Sequence, residues 1–151
     1  MVPAAVRGHT LIELVAALCV AGVLAAVVVP QVAAQHGRAA TAAAATHFAL
    51  VLRDAQARSR AVGEPVRVVV QADGRRYAVE QPSASGWRAV TQGDFGAAVC
   101  RTNYPDGVVE FSGLGWPHSA TGSARAGTFT FGCAWCSRAV VVQMGGAVRC
   151  R

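Results

Sequence analysis

The chain has 151 residues, 53% of them hydrophobic, and a formal net charge of +6 from 14 basic and 8 acidic side chains. That length is enough for one domain beyond a membrane-length helix. Every basic residue is arginine, and after Glu110 there is no acid while Arg125, Arg138, Arg149 and Arg151 remain. The C-terminal third is therefore a candidate anion-binding face, unless acids from earlier in the chain fold beside those arginines.

The first feature in chain order is apolar. From Leu14 to Gln35 no residue is charged, about the length that crosses a bilayer as a helix. Glu13 stands at the entry to this run, where a carboxylate is costly in lipid unless it has a partner. Pro30 lacks the N–H that a helix interior uses and marks a point of kinking. Ala40, Ala42 to Ala45 and Ala49 then favour helix as far as about residue 61. Ala44, Phe48, Val51 or Leu52, Ala55 and Val62 recur at three- and four-residue intervals as a buried stripe, with Arg53, Arg58 and Arg60 off it. Gly37 is the weak point of this helix, and Gly63 and Pro65 end it.

After Pro65 the pattern changes to strands. Residues 66–71, an Asp73-Gly74 turn and residues 76–80 read as a hairpin, and residues 87–91 as a third strand. Residues 92–107 read as a loop that holds Cys100. Residues 108–112 form a further strand, with Gly113-Leu114-Gly115-Trp116-Pro117 as its exit. Residues 128–131 and 138–144 form the last hairpin, across a turn that carries Cys133 and Cys136, and residues 147–150 form a final strand. One long helix followed by antiparallel strands is an α+β layout: a long N-terminal helix, membrane-spanning in its first half, packed on an antiparallel β-sheet domain.

No catalytic set emerges, and no cofactor or metal is predicted. His9, His36, His47 and His118 fall on different elements, and His36 and His47 are too far apart on a helix to close on one metal. Trp87, Trp116 and Trp135 read as stacking platforms or, more simply, as core and turn packing. Cys19 reads as a small packing residue in the apolar run. Cys100, Cys133, Cys136 and Cys150 read as two disulfides in an oxidising compartment; the competing zinc reading lacks a second close cysteine pair. Cys133 and Cys136 flank a two-residue turn, which pairs them and leaves Cys100 with Cys150. The pairings Cys100–Cys133 with Cys136–Cys150, and Cys100–Cys136 with Cys133–Cys150, stay open on spacing alone.

Gly8-His9-Thr10-Leu11-Ile12-Glu13-Leu14, followed by a small-residue-rich apolar helix and Pro30, resembles the N-terminus of type IV pilins and type II secretion pseudopilins. That resemblance implies a leader, residues 1–8, removed by a prepilin peptidase that cuts after Gly8. It implies methylation of the new N-terminus at His9, where phenylalanine is usual. It also gives Glu13 an assembly role, neutralising the N-terminal amine of a neighbouring subunit; each charge is costly when buried alone and tolerable as a pair. Residues 9–30 would then be the transmembrane and filament-core helix, residues 31–62 its second half, and residues 63–151 the β-rich globular domain. The partners implied are other pilin or pseudopilin subunits, the peptidase and the bacterial inner membrane, with the C-terminal domain outside the cytoplasm.

The run from Leu52 to Val62, Glu64-Pro65-Val66, Val109-Glu110-Phe111-Ser112-Gly113-Leu114-Gly115-Trp116-Pro117 and a Gly-x-x-Arg ending resemble the GspH/FimT branch of these proteins. Some members of that branch are minor pilins that serve natural transformation and bind DNA through a Gly-Arg-x-Arg ending. The matching residues here are Gly146-Ala147-Val148-Arg149, so the first arginine of the motif is absent, and Arg138 and Arg151 would have to support Arg149 on extracellular DNA. Two plainer readings compete with filament assembly. One is a secretory signal peptide cut after Ala34, against which Glu13 interrupts the apolar run. The other is a signal anchor with no filament role.

Overall fold

The computed structural model describes residues 11–133 and 136–151. They fall into two compact units, one up to Gln35 and one from His36 onward. A single helix, α1, spans Leu11–Val62 and carries Pro30 inside it. From Leu11 to Ala33 every residue of this helix is exposed, and the segment is long and apolar enough to cross a membrane. The Gly63 N–H donates to the Ser59 carbonyl at 2.9 Å and closes the helix.

In the second unit the helix buries Thr41, Ala44, Ala45, Phe48, Ala49, Leu52, Ala55, Gln56 and Ser59. Those positions keep the three- and four-residue spacing of one face. Val62, expected on the same stripe, is 60% exposed, because Gly63 ends the helix before the β domain can cover it.

Among the described residues nine strands follow. A five-stranded sheet runs β3-β2-β1-β5-β6, with β1 Val66–Val70, β2 Arg76–Ser83, β3 Gly86–Asp94, β5 Val108–Phe111 and β6 Pro117–Ser119. A four-stranded sheet runs β4-β7-β8-β9, with β4 Val99–Thr102, β7 Gly127–Cys133, β8 Cys136–Val142 and β9 Val148–Cys150. All ladders are antiparallel. Strand alternation puts Val66, Val68, Val70, Tyr77, Val79, Val109 and Phe111 of the first sheet inside. The second sheet contributes Cys100, Phe129, Phe131, Val140, Val142 and Val148. Phe48 sits where both sheets meet the helix: its ring centroid lies 5.0 Å from that of Phe129, 5.3 Å from Phe95, and 5.6 Å from Tyr77 and Phe131.

One strand falls where a loop was expected, and another where the sequence carries no strand signal. β4 lies in the stretch 92–107; it is four residues long and pairs only with β7, so it offers little alternation to read. β6 is Pro-His-Ser at a sheet edge, where a leading proline costs no ladder bond. The two sheets are joined where the Cys100 N–H donates to the Gly74 carbonyl at 2.7 Å.

Candidate assembly and binding surfaces

Glu13 lies in the first turn of α1 and is the sole acid of the chain before Asp54. Around it Leu11, Ile12, Leu14, Val15 and Leu18 are all exposed. A helix that is apolar and uncovered in the isolated chain calls for lipid or for other helices against it. Gly8 and His9 lie outside the described residues.

The sulfurs divide. Cys133 and Cys136 form a disulfide, with Cα atoms 5.3 Å apart at the end of the β7–β8 ladder. The expected second bridge is absent: Cys100 and Cys150 are free thiols. Cys100 is on β4 and Cys150 on β9, the two opposite edges of the four-stranded sheet. Three strand spacings of about 4.8 Å separate them by roughly 14 Å, twice the Cα separation that a disulfide tolerates. Burial pushes the Cys100 thiol up to about 12, so it stays protonated and inert.

The C-terminal arginines also divide. Arg138 falls on the same side of β8 as the buried Val140 and Val142. Arg149 lies opposite Val141, and Arg151 exchanges backbone hydrogen bonds with Ala139 at 2.8 and 2.9 Å, so both are on the outer face. The same outer row continues through Thr130, opposite Ala139, to Arg101 on β4. No strand of this sheet contains an acidic residue. Arg101 lines two cavities on that face. One, of about 640 Å³, also involves Thr130, Gly132, Cys133, Cys136 and Ser137, and the other, of about 270 Å³, Asn103 and Thr128. Arg101 went unread in the sequence because its strand did; pairing β4 with β7 would have placed it in the row.

A second polar device joins the helix to two loops. Arg53, Gln56 and Arg60 recur at three and four residues along α1. Arg53 Nη2 donates to the Val148 carbonyl at 2.9 Å, and Arg60 Nε to the Leu114 carbonyl at 3.3 Å. Between them Gln56 Nε2 donates to both the Gly115 and the Gly146 carbonyls at 2.8 Å. Gly115 and Gly146 have φ of +78° and +79°, and a Cβ on either would collide with Arg60 or Gln56. The exit from β5 and the β8–β9 turn are thus clasped by one amide, and Gly146 of the Gly-x-x-Arg ending serves this clasp. Leu114, Trp116 and Met144 of the same two loops are exposed.

Among the described residues the remaining polar groups do not converge on one site. His47 meets Tyr77 at a tilt, with ring centroids 6.0 Å apart, and His118 Nδ1 is 2.9 Å from the Trp116 carbonyl. Among the described residues no three His, Cys, Asp or Glu side chains come together as a metal site. Trp87 covers the Arg67 guanidinium at 4.3 Å, and Arg67 pairs with Glu80 at 2.6 Å; Trp135 lies outside the described residues. Tyr104 donates to the Arg125 carbonyl at 3.1 Å, and burial pushes its hydroxyl up to about 12 against the opposing charge of Arg125.

No family model and no curated protein matches the sequence. Solved structures do match the fold. The type IV minor pilin FimU of Pseudomonas aeruginosa superposes with a TM-score of 0.59 at 15% identity, over 72% of this chain and 86% of that one. The minor pseudopilin EpsH from the type II secretion system of Vibrio cholerae superposes with a TM-score of 0.61 at 13% identity, over 74% and 95%. The chain has the minor pilin and pseudopilin fold: a long N-terminal helix packed on antiparallel sheets.

Proposed function

We propose that the chain is a structural subunit of a filament, a minor pilin of a type IV pilus or a minor pseudopilin of a type II secretion system. The observation that carries this reading is α1 itself. Its second part is the core of a domain with that fold, while residues 11–33 are apolar and wholly exposed, with Glu13 as their only charge. Such a segment is stable in a bilayer and, once extracted, in a bundle of like helices. In this reading a peptidase removes residues 1–8, and the new amine at His9 meets Glu13 of a neighbour. Glu13→Ala should leave the chain membrane-inserted and cleaved but exclude it from filaments sheared and probed by immunoblot. Ordinary incorporation of the variant would refute the pairing. Gly8→Val should abolish the mobility shift of leader removal.

One observation favours a second role on the same subunit. The outer face of the acid-free sheet carries Arg101, Arg149 and Arg151 beside threonines, a composition suited to the phosphates of extracellular DNA. The full chain in detergent should bind duplex DNA more weakly as salt is raised, and Arg101→Ala should lower both affinity and salt dependence. Equal affinity of that variant at low salt would remove this role and leave assembly alone.

A further inference from the structure

We propose that the Cys133–Cys136 disulfide is a redox-sensitive clamp that holds the β7–β8 hairpin tip on one turn of α1, from Gly37 to Thr41. The two cysteines end the ladder opposite each other, and the bond between them links positions only three apart in the chain. So small a loop adds little to global stability through chain entropy; its effect is local, in what the two sulfurs touch. Cys136 Sγ lies 3.3 Å from Thr41 Oγ1 and 3.8 Å from the Gly37 carbonyl. Cys133 Sγ lies 3.5 Å from the point where a Cβ on Gly37 would stand. The Thr41 hydroxyl donates back to the Gly37 carbonyl at 2.9 Å, and a disulfide sulfur has no proton to give. The contact is therefore polarizable sulfur packed on a helical turn.

That turn needs support. A glycine inside a helix has a weaker helical preference than alanine, and Gly37 is one such. Thr41, only 1% exposed, is the first buried residue along α1. The bond keeps both sulfurs at bonding distance, about 2.05 Å in an ordinary disulfide, over a turn that has no side chain at position 37. Two thiols need ordinary van der Waals separation, so both cannot keep that seat, and one side of the tip must lift.

The bond is reachable. Cys133 and Cys136 are each only half-buried at the end of the ladder, and a small reductant meets the bond there. A dithiol reductant would attack one Sγ as thiolate and form a mixed disulfide while the Cys133–Cys136 bond breaks. Its second thiolate then displaces the first sulfur. Two electrons pass from the reductant to this chain, the reductant leaves as a disulfide, and two protons end on Cys133 and Cys136.

The test is amide hydrogen exchange on the full chain in detergent micelles, oxidised and after reduction with dithiothreitol. Amides of residues 37–45 should exchange about five- to tenfold faster after reduction, the size expected for losing one contact worth a hydrogen bond, with residues 48–59 unchanged. The Cys133→Ser/Cys136→Ser double variant should show the fast pattern without reductant and no response to it. Unchanged or slower exchange over 37–45 in the reduced protein would overturn the clamp. Equal acceleration across 48–59 would also overturn it, by showing that the bond supports the whole domain rather than this turn.

Discussion

Gln56→Leu tests the clasp between α1 and the two loops. Leucine keeps much of the side-chain volume and all of the helical preference, so what it removes is the amide. Gln56 is buried, and its Nε2 reaches the Gly115 and Gly146 carbonyls at 2.8 Å each. Both glycines are themselves buried, so two acceptors lose their donor out of reach of bulk water. An unsatisfied buried polar group costs about 1–3 kcal/mol, and partial solvation by movement of the loops reduces the pair to about 2–4 kcal/mol. For a domain of this size that is a fall in Tm of roughly 5–15 °C. Near-UV circular dichroism of the full chain in detergent during heating reads it, because Phe48 and its aromatic neighbours report tertiary packing. Gln56→Glu should be worse at neutral pH, since a carboxylate would face two carbonyls. A Gln56→Leu variant melting within about 1 °C of wild type would refute the argument, and would mean that Arg53 and Arg60 hold the loops without it.

Phe48→Ala should cost about 3–5 kcal/mol, read from the denaturant midpoint, because four aromatic rings pack on a side chain that is 0% exposed; a loss below about 1 kcal/mol would show that the core closes over the gap. Stability should fall as pH rises above 9. The Cys100 thiol titrates near its ordinary 9.0 when unfolded but only at about 12 when folded, so between those values the unfolded chain binds fewer protons. Cys100→Ala should delay the onset toward the tyrosine range near 10, where Tyr104 acts in the same direction; identical slopes for the two proteins between pH 9 and 10 would contradict this. Gly37→Ala should raise stability by about 0.5–1 kcal/mol, since its Cβ would meet Cys133 Sγ at an ordinary 3.5 Å. Gly37→Leu should lose that gain by pushing the hairpin tip away, and equal melting of the two would argue that the tip rests elsewhere.

The elements that sequence alone determined are those whose signal is local. A charge-free run after Glu13, an alanine-rich continuation with Phe48 and Leu52 at helical spacing, and valine-rich strands between glycine turns each carry their own period, and each forms in place. The close spacing of Cys133 and Cys136 likewise keeps them together, and the β7–β8 ladder ends with the two opposite each other. What depended on the tertiary structure is every relation between distant segments. Cys100 and Cys150 were paired by elimination, but strand order puts them on opposite edges of one sheet. Arg138, Arg149 and Arg151 form one group along the chain and two across the sheet, because strand parity and pairing decide which face each takes. β4 is too short to announce itself, so Arg101 joined the outer row only when β7 paired with it. Gln56 carries no signal of its own in the sequence. It became the tie between two loops because the fold brings Gly115 and Gly146, 59 and 90 residues away, to the same amide, and long-range hydrogen bonds of that kind leave no period in a sequence to be read.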